Sequence, residues 1–385
     1  MQRTLRILMH PTPEQTEALN ETSRQFTAVF NAVCAYGWRE RERNGVRLHH
    51  ALYYPLKGEY PALVSDLHIQ ARMKATEAVR SALTLLKAGK KVSQPRSLAC
   101  PPRYNLHTYK LDWQKRAVTL STTSGRLHIP FTVLPHAANY VGGEVDTADL
   151  IWRKGRWWLH VVVTIHQPEV ERSEAVVGVD LGLTRPAVTS TNRFLGKRAW
   201  KAIEGRYFKL RRALQKRGTK SAKRHLRKLR GKQARLRRDC DHVLSKQVVA
   251  ATPPGGTIVL ENLTNIRKRT KVHRKTQTSR RIHGWSFAQL KGFIAYKAEE
   301  RGCTVAGVEP RYTSQTCSCC GHVARNNRRS RDLFVCRQCG YTLHADLNGA
   351  RNIAAKYRAG GGISPPGGLP VNQPLVSTPT PPASG

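Results

Sequence analysis

Four cysteines carry the sharpest chemical signal in this 385-residue chain. Cys317 and Cys320 form one Cys-x2-Cys pair and Cys336 and Cys339 a second, with fifteen residues between the pairs. Each such turn can direct two thiolates at one ion, and two turns complete the tetrahedron of soft ligands that zinc prefers. A closed shell of four sulfurs leaves no coordination position for a substrate, so this ion is expected to be structural. Cys319 is the spare thiol, since using it in place of Cys320 breaks the spacing, and His322 and His344 rank below the cysteines as ligands. The chain has nine cysteines, an odd number, and five of them crowd between Cys317 and Cys339. In a reducing compartment that pattern points to metal rather than disulfides.

Three carboxylates form the second constellation. Asp180 ends the apolar run Val176-Val177-Gly178-Val179, and Glu261 ends Thr257-Ile258-Val259-Leu260. Asp346 opens Asp346-Leu347-Asn348-Gly349-Ala350-Arg351-Asn352-Ile353. Taken singly, the first two read as strand-end turn residues and the third as a helix N-cap. Together, two acids at strand ends and one at the start of a neighbouring helix can hold two Mg²⁺ ions about 4 Å apart. One ion would activate a water and the other would stabilise the leaving 3′ oxygen of a phosphodiester. Such ions are hard cations, and carboxylates supply the hard oxygen ligands. Walker, Gly-x-Ser-x-Gly and His-Glu-x-x-His patterns are absent from the sequence, so Ser–His hydrolysis has no support.

The elements that must position these groups can be read in order. Arg3 to Met9 alternates as a strand, and Thr12-Pro13-Glu14-Gln15 opens a helix with a capping box. Leu19, Phe26, Phe30, Val33 and Tyr36 follow at helical spacing, and a second helix is expected from Asp66 to Lys87. Trp38, Arg39, Arg41 and Tyr53, between them, are candidate nucleic-acid contacts. Short β-like runs then lead to a hairpin turn at Arg153-Lys154-Gly155-Arg156, and the first strand is free to return to this sheet. From Val176 the order is three strands, a long helical region from Lys197 to Ala251, a strand, a helix (Ser286 to Glu300), a strand, and a last helix after Asp346. That order fits a ribonuclease H-like mixed sheet flanked by helices. Gly218-Thr219 breaks the long region into a hairpin whose second arm shows a seam at Leu226, Leu229, Gln233, Leu236, Cys240, Val243 and Gln247.

Charge narrows the partners. Lys plus Arg total 66 against 25 acids, a formal net charge of +41. Between residues 197 and 238 there are 19 Lys or Arg and one acid, Glu204. A solvated charge run normally mixes signs, whereas a nearly single-signed one fits a phosphate backbone. A basic loop from Arg267 to Arg281 repeats the theme. No stretch approaches the ~20 apolar residues of a membrane-spanning helix, and the N-terminus lacks an apolar signal core, so a cytosolic protein is expected.

The three acidic stretches, Val177-Gly178-Val179-Asp180-Leu181-Gly182, Val259-Leu260-Glu261-Asn262-Leu263 and Asp346 to Ile353, resemble the three RuvC motifs of TnpB. That family comprises RNA-guided nucleases encoded by bacterial insertion sequences, relatives of the compact type V CRISPR effectors. The cysteine pairs lie between the second and third motifs, as in that family, and Pro310-Arg311-Tyr312-Thr313-Ser314-Gln315-Thr316-Cys317 is similar to its entry into a zinc ribbon. The resemblance covers roughly residues 1–357.

It implies a multidomain α+β protein. Residues 1–11 and 95–170 would form a wedge-like antiparallel β domain, with 12–94 a helical recognition insertion. Residues 171–311 and 343–357 would form a RuvC-like core carrying the basic hairpin 197–250. A zinc ribbon would span 312–342 and a disordered tail 358–385. It further implies that Asp180, Glu261 and Asp346 are the catalytic, magnesium-binding residues of a DNA endonuclease, and that Cys317, Cys320, Cys336 and Cys339 hold zinc. The guide RNA would come from the transposon end, and the target would be double-stranded DNA beside a short flanking motif. One protein copy would act in the complex, in the bacterial cytosol or nucleoid, with no membrane partner. Gly349 stands where the family more often has alanine, which costs helix propensity but removes no ligand. Two other readings remain: an unguided transposase or resolvase-like nuclease, and a guided DNA-binding repressor without cleavage.

Overall fold

The alternating residues at the N-terminus form β1 (Gln2–Met9), and Thr12 caps α1 (Pro13–Arg39) with the expected reciprocal pair: Gln15 N–H donates to Thr12 Oγ1 and Thr12 N–H to Gln15 Oε1. The computed structural model describes residues 1–166, 169–197, 199–264, 266 and 282–363. The basic loop from Arg267 to Arg281 and the tail beyond residue 363 lie outside the described residues. The chain divides into two compact units, Met1–His166 and Gln167–Gly385.

In the first unit α1 is followed by α2 (Gly45–Glu59) and α3 (Ser65–Lys87). Helix α2 is not evident in the sequence, because Pro55 within it reads as a breaker; Asn44 caps it and only Leu48 and Leu56 are buried. Within this segment Arg41 lies over the Trp38 ring at 4.8 Å, and Tyr53 stacks on His49. Then come β2 (Arg103–Tyr104), β3 (Tyr109–Asp112), β4 (Ala117–Thr122), β5 (Gly125–Val133), β6 (Glu144–Arg153) and β7 (Arg156–Thr164). They join β1 in an antiparallel sheet of order β2-β6-β7-β1-β5-β4-β3. The β6–β7 turn has Lys154 and Gly155 both at positive φ, the conformation that matches the twist of a two-residue hairpin. Leu19, Phe26 and Val33 of α1 join Leu67, Ala71 and Val79 of α3 and the inner face of the sheet in one core.

The second unit is built on β8 (Val176–Asp180), β9 (Ala187–Thr189), β10 (Phe194–Leu195), β11 (Thr257–Glu261) and β12 (Thr304–Val308). The cysteine segment folds as a hairpin of β13 (Leu333–Val335) and β14 (Thr342–His344), and β15 (Gly362–Ile363) is a final edge strand of the main sheet. The order of that sheet is β10-β9-β8-β11-β12-β15, with β8, β11 and β12 parallel and the flanking pairs antiparallel. The basic hairpin is α4 (Ala199–Arg217) and α5 (Lys220–Ala250). Its seam is buried at Leu229, then drifts to Leu244, Val248 and Val249, leaving Val243 and Gln247 half-buried. α6 (Phe287–Glu299) precedes β12, and α7 (Ala345–Lys356) follows β14.

Alternation along the strands divides the sheet's two faces. Val177, Val179, Ile258 and Leu260 share a core with Leu244 and Val248 of α5 and Leu290 and Ile294 of α6. Val259 packs with Ile353 of α7. Gly178 faces α7 too: a Cβ there would collide with the Ala350 carbonyl and lie 2.6 Å from Ala354 N. Gly178→Ala is therefore expected to force α7 off the sheet and destabilise this unit by about 1–3 kcal/mol. A thermal melt matching the parent would show that the contact yields freely. Residues 358–363, placed in the tail from the sequence, carry regular structure. Gly360, at φ 82°, reverses the chain after α7, and residues 362–363 pair antiparallel with β12.

Candidate active site and metal centre

The period of two that turns Gly178 and Val259 toward α7 turns Asp180 and Glu261 the same way. The register pairs Val179 with Leu260, so the two acids stand side by side at the carboxyl ends of adjacent parallel strands. Asp346 lies in the first turn of α7. All three sequence-predicted acids thus belong to one neighbourhood, and Asp180 feels both of the others. Burial, then Glu261 and Asp346, push its carboxyl up to about 8, against the opposing pull of Arg328. Glu261 is also raised, chiefly by burial, while Thr313 and Lys356 act the other way.

Each acid has a support. A Cβ at Gly349 would lie 3.2 Å from Asp180 Oδ2, so the missing side chain makes room for that carboxylate, a role beyond the loss of helix propensity. Thr313 Oγ1 donates to Glu261 Oε1 at 2.6 Å. Arg328 Nη2 donates to Asp346 Oδ1 at 3.1 Å. The N-cap of α7 is His344, not Asp346: His344 Nδ1 accepts the Asp346 N–H at 3.2 Å. An accepting Nδ1 leaves the ring proton on Nε2, which faces Asp332 Oδ1 at 3.4 Å. Ser286, just before α6, makes no capping hydrogen bond and donates its hydroxyl to Asp241 Oδ2.

Among the described residues, two groups of three or more metal-type donors have ligand atoms all within 4.8 Å of one another. One is Cys317, Cys320, Cys336 and Cys339; the other is Asp332, His344 and Asp346. The Sγ atoms of Cys317 and Cys339 lie 3.8 Å apart and those of Cys320 and Cys336 3.6 Å. A zinc–sulfur bond of about 2.3 Å sets a tetrahedral edge of roughly 3.8 Å, so the donor set fits zinc. Backbone N–H groups, that of Cys339 foremost, pull Cys336 down to about 6, which favours its thiolate. Cys319 is exposed and outside the cluster. The acids fit a hard divalent cation by their chemistry: three half-buried carboxylates, with Asp180 raised by burial and by the other two, are what a bound dication relieves. No spacing in the sequence singles out Arg328 or Asp332, Thr313 appears there only within the run that enters the cysteine segment, and His344 reads only as a lesser zinc ligand.

A family model described as Cas12f1-like, TNB domain, matches residues 287–353, from α6 through the cysteine segment into α7. The chain is 34% identical over 224 residues to the CRISPR-associated endodeoxyribonuclease Cas12f1 of Sulfoacidibacillus thermotolerans, covering 52% of this chain and 50% of the relative. It is 30% identical over 237 residues to the putative RNA-guided DNA endonuclease InsQ of Escherichia coli K12, covering 57% and 58%. The matches therefore span about half to three fifths of those relatives' lengths. A Cas12f1–sgRNA–target DNA complex solved by cryo-EM shares the fold, with a TM-score of 0.65 at 15% identity over 89% of this chain and 83% of that one. No helix among the described residues is long and apolar enough to cross a membrane. The matched stretches are similar in sequence to TnpB-like proteins and to compact type V effectors, and the TNB-domain match takes in the four cysteines and Asp346.

Proposed function

We propose that the chain is an RNA-guided, metal-dependent DNA endonuclease of an insertion sequence, acting in the cytoplasm as a single copy on its guide and target. The observation that carries this reading is the set Asp180, Glu261 and Asp346, brought together at the carboxyl ends of two parallel strands by their register and by α7. A DNA-binding repressor has no use for a half-buried carboxylate, Asp180, held beside two others. The second unit is read as a ribonuclease H-like, RuvC-type core with a zinc ribbon at 312–342. Asp180, Glu261 and Asp346 would hold Mg²⁺, two ions in the preferred form, and Cys317, Cys320, Cys336 and Cys339 would hold zinc.

When bound, Mg²⁺ supplies the positive charge that activates water and steadies the leaving oxygen of a phosphodiester. The chain's own part is positional. The strand ends fix Asp180 and Glu261, Gly349 leaves Asp180 its space, and His344 orders the backbone under Asp346. Arg328, half-buried, supplies a fixed cation beside the Asp346 carboxylate. Target choice is assigned to guide pairing, so the protein's cations need only read backbone. α4 and α5 suit that task, with Lys220, Lys223 and Arg227 all exposed.

The deciding experiment is expression with the native downstream DNA, followed by sequencing of the co-purifying RNA. One dominant RNA that runs from the element's end into adjacent sequence, and that directs cleavage of a matching DNA, is the expected result. A heterogeneous smear with guide-independent cutting would favour an unguided nuclease. Reversing Lys220, Lys223 and Arg227 to Glu should weaken nucleic-acid binding for every sequence and flatten the dependence of log K on log salt by about 0.7–0.9 per lost phosphate contact. An unchanged slope would mark that face as merely solvated.

A further inference from the structure

One face of α7 carries three polar side chains at successive i, i+4 positions, Asn348, Asn352 and Lys356, and all three are spent on one stretch of backbone. Asn348 is fully buried; its Nδ2 donates to Thr316 O at 2.8 Å and its Oδ1 accepts the Ser318 N–H at 3.0 Å. Asn352, also buried, donates to Thr313 O at 2.8 Å and Thr316 O at 2.6 Å. Lys356 Nζ reaches Glu309 O at 2.9 Å and Arg311 O at 2.7 Å. Buried amides in a helix interior are costly unless paired, so this face is built for the segment it grips.

That segment leads from β12 into the first cysteine pair, and its Thr313 is 4% exposed. The Thr313 carbonyl is held by Asn352, while its hydroxyl lies 2.6 Å from Glu261 Oε1 and 3.0 Å from Pro310 O. A hydroxyl has one proton, and the shorter, charge-assisted partner is the carboxylate. We propose that Thr313 is a positioning residue for Glu261, locked by the Asn348–Asn352–Lys356 face of α7, so that the entry to the cysteine segment sets one carboxylate of the metal site. The inference rests on the nuclease reading above. It makes α7 the element behind all three acids: it carries Asp346, packs Ala350 and Gly349 against β8 beneath Asp180, and reaches Glu261 through Thr313.

The test compares Thr313→Val and Thr313→Ser in the full chain with its co-purified RNA. Mn²⁺ binding is read by electron paramagnetic resonance without DNA, cleavage is read separately, and zinc is read by elemental analysis. Thr313→Val keeps the shape and removes the donor; it should weaken Mn²⁺ binding about 10-fold, the scale expected for a hydrogen-bond partner of a ligand, with zinc unchanged. Thr313→Ser should restore binding to near the parent's. Parent-like Mn²⁺ binding in Thr313→Val overturns the proposal. So does a loss of zinc alongside manganese, which would make Thr313 a general prop of the cysteine segment. The parent and Glu261→Gln separate the two levels: if the parent with its RNA does not cleave matching DNA, the nuclease reading falls; if Glu261→Gln is inactive while Thr313→Val behaves as the parent, only the positioning role falls.

Discussion

Asp180→Asn is expected to abolish guided cleavage, by ~10³-fold or more, while leaving nucleic-acid binding within a fewfold of the parent. The substitution keeps shape and volume and removes the negative charge that a cation needs. It should also make the protein more stable at alkaline pH without divalent metal. Burial and the neighbouring acids push Asp180 up to about 8, far above an unfolded aspartate. For an acid raised on folding, the folded state binds more protons. Its contribution is therefore fully present below the unfolded value, near pH 4, and is lost as pH rises through about 8. Asparagine does not titrate, so the variant's advantage should be near zero at pH 4 and grow to on the order of a few kcal/mol by pH 9. Thermal melts of both proteins across that range, with and without Mg²⁺, measure it. Mg²⁺ should close the gap by stabilising the parent alone. Equal melts at pH 9 in chelator would show that the three carboxylates do not strain one another, and residual cleavage by the variant would remove Asp180 from the metal site.

The acids are legible in the sequence because each terminates a pattern with a physical cause. An apolar run ending on a carboxylate fixes both the strand and the end at which the charge sits, and two such runs in a βα order imply parallel neighbours. The cysteine pairs are legible from spacing alone. What surrounds them is not. Thr313 reaches Glu261 across 52 residues of sequence, and Arg328 reaches Asp346 only because β13 and β14 fold the chain back. Such contacts leave no periodicity. Local cues mislead where one side chain has two possible partners: Ser286 answers Asp241 instead of its own helix, and His344 takes the cap assigned to Asp346. Helix α2 is hidden by Pro55, and the edge strand at 362–363 by a Gly-rich run that reads as tail.

Cys336→Ser should release the zinc and with it the order of residues 312–342. The apolar cluster there is small, with Cys317, Phe334, Cys336 and Ala345 buried and Tyr341 packed against them. So few buried side chains make a weak core, and a four-thiolate zinc site, worth on the order of 10–16 kcal/mol, is the segment's largest single support. Elemental analysis should find one zinc per parent chain and none in Cys336→Ser, while Cys319→Ser, outside the cluster, keeps its zinc. Protease sensitivity should rise within 312–342 in Cys336→Ser, and β8, β11 and β12 should stay protected, since their cores lie elsewhere. Cleavage should fall with the zinc although no cysteine joins the acids, because Asn348 and Asn352 would lose Thr313, Thr316 and Ser318, and Glu261 its hydroxyl partner. Full cleavage by a zinc-free variant would separate the cysteine segment from the chemistry and leave it a role in nucleic-acid binding alone.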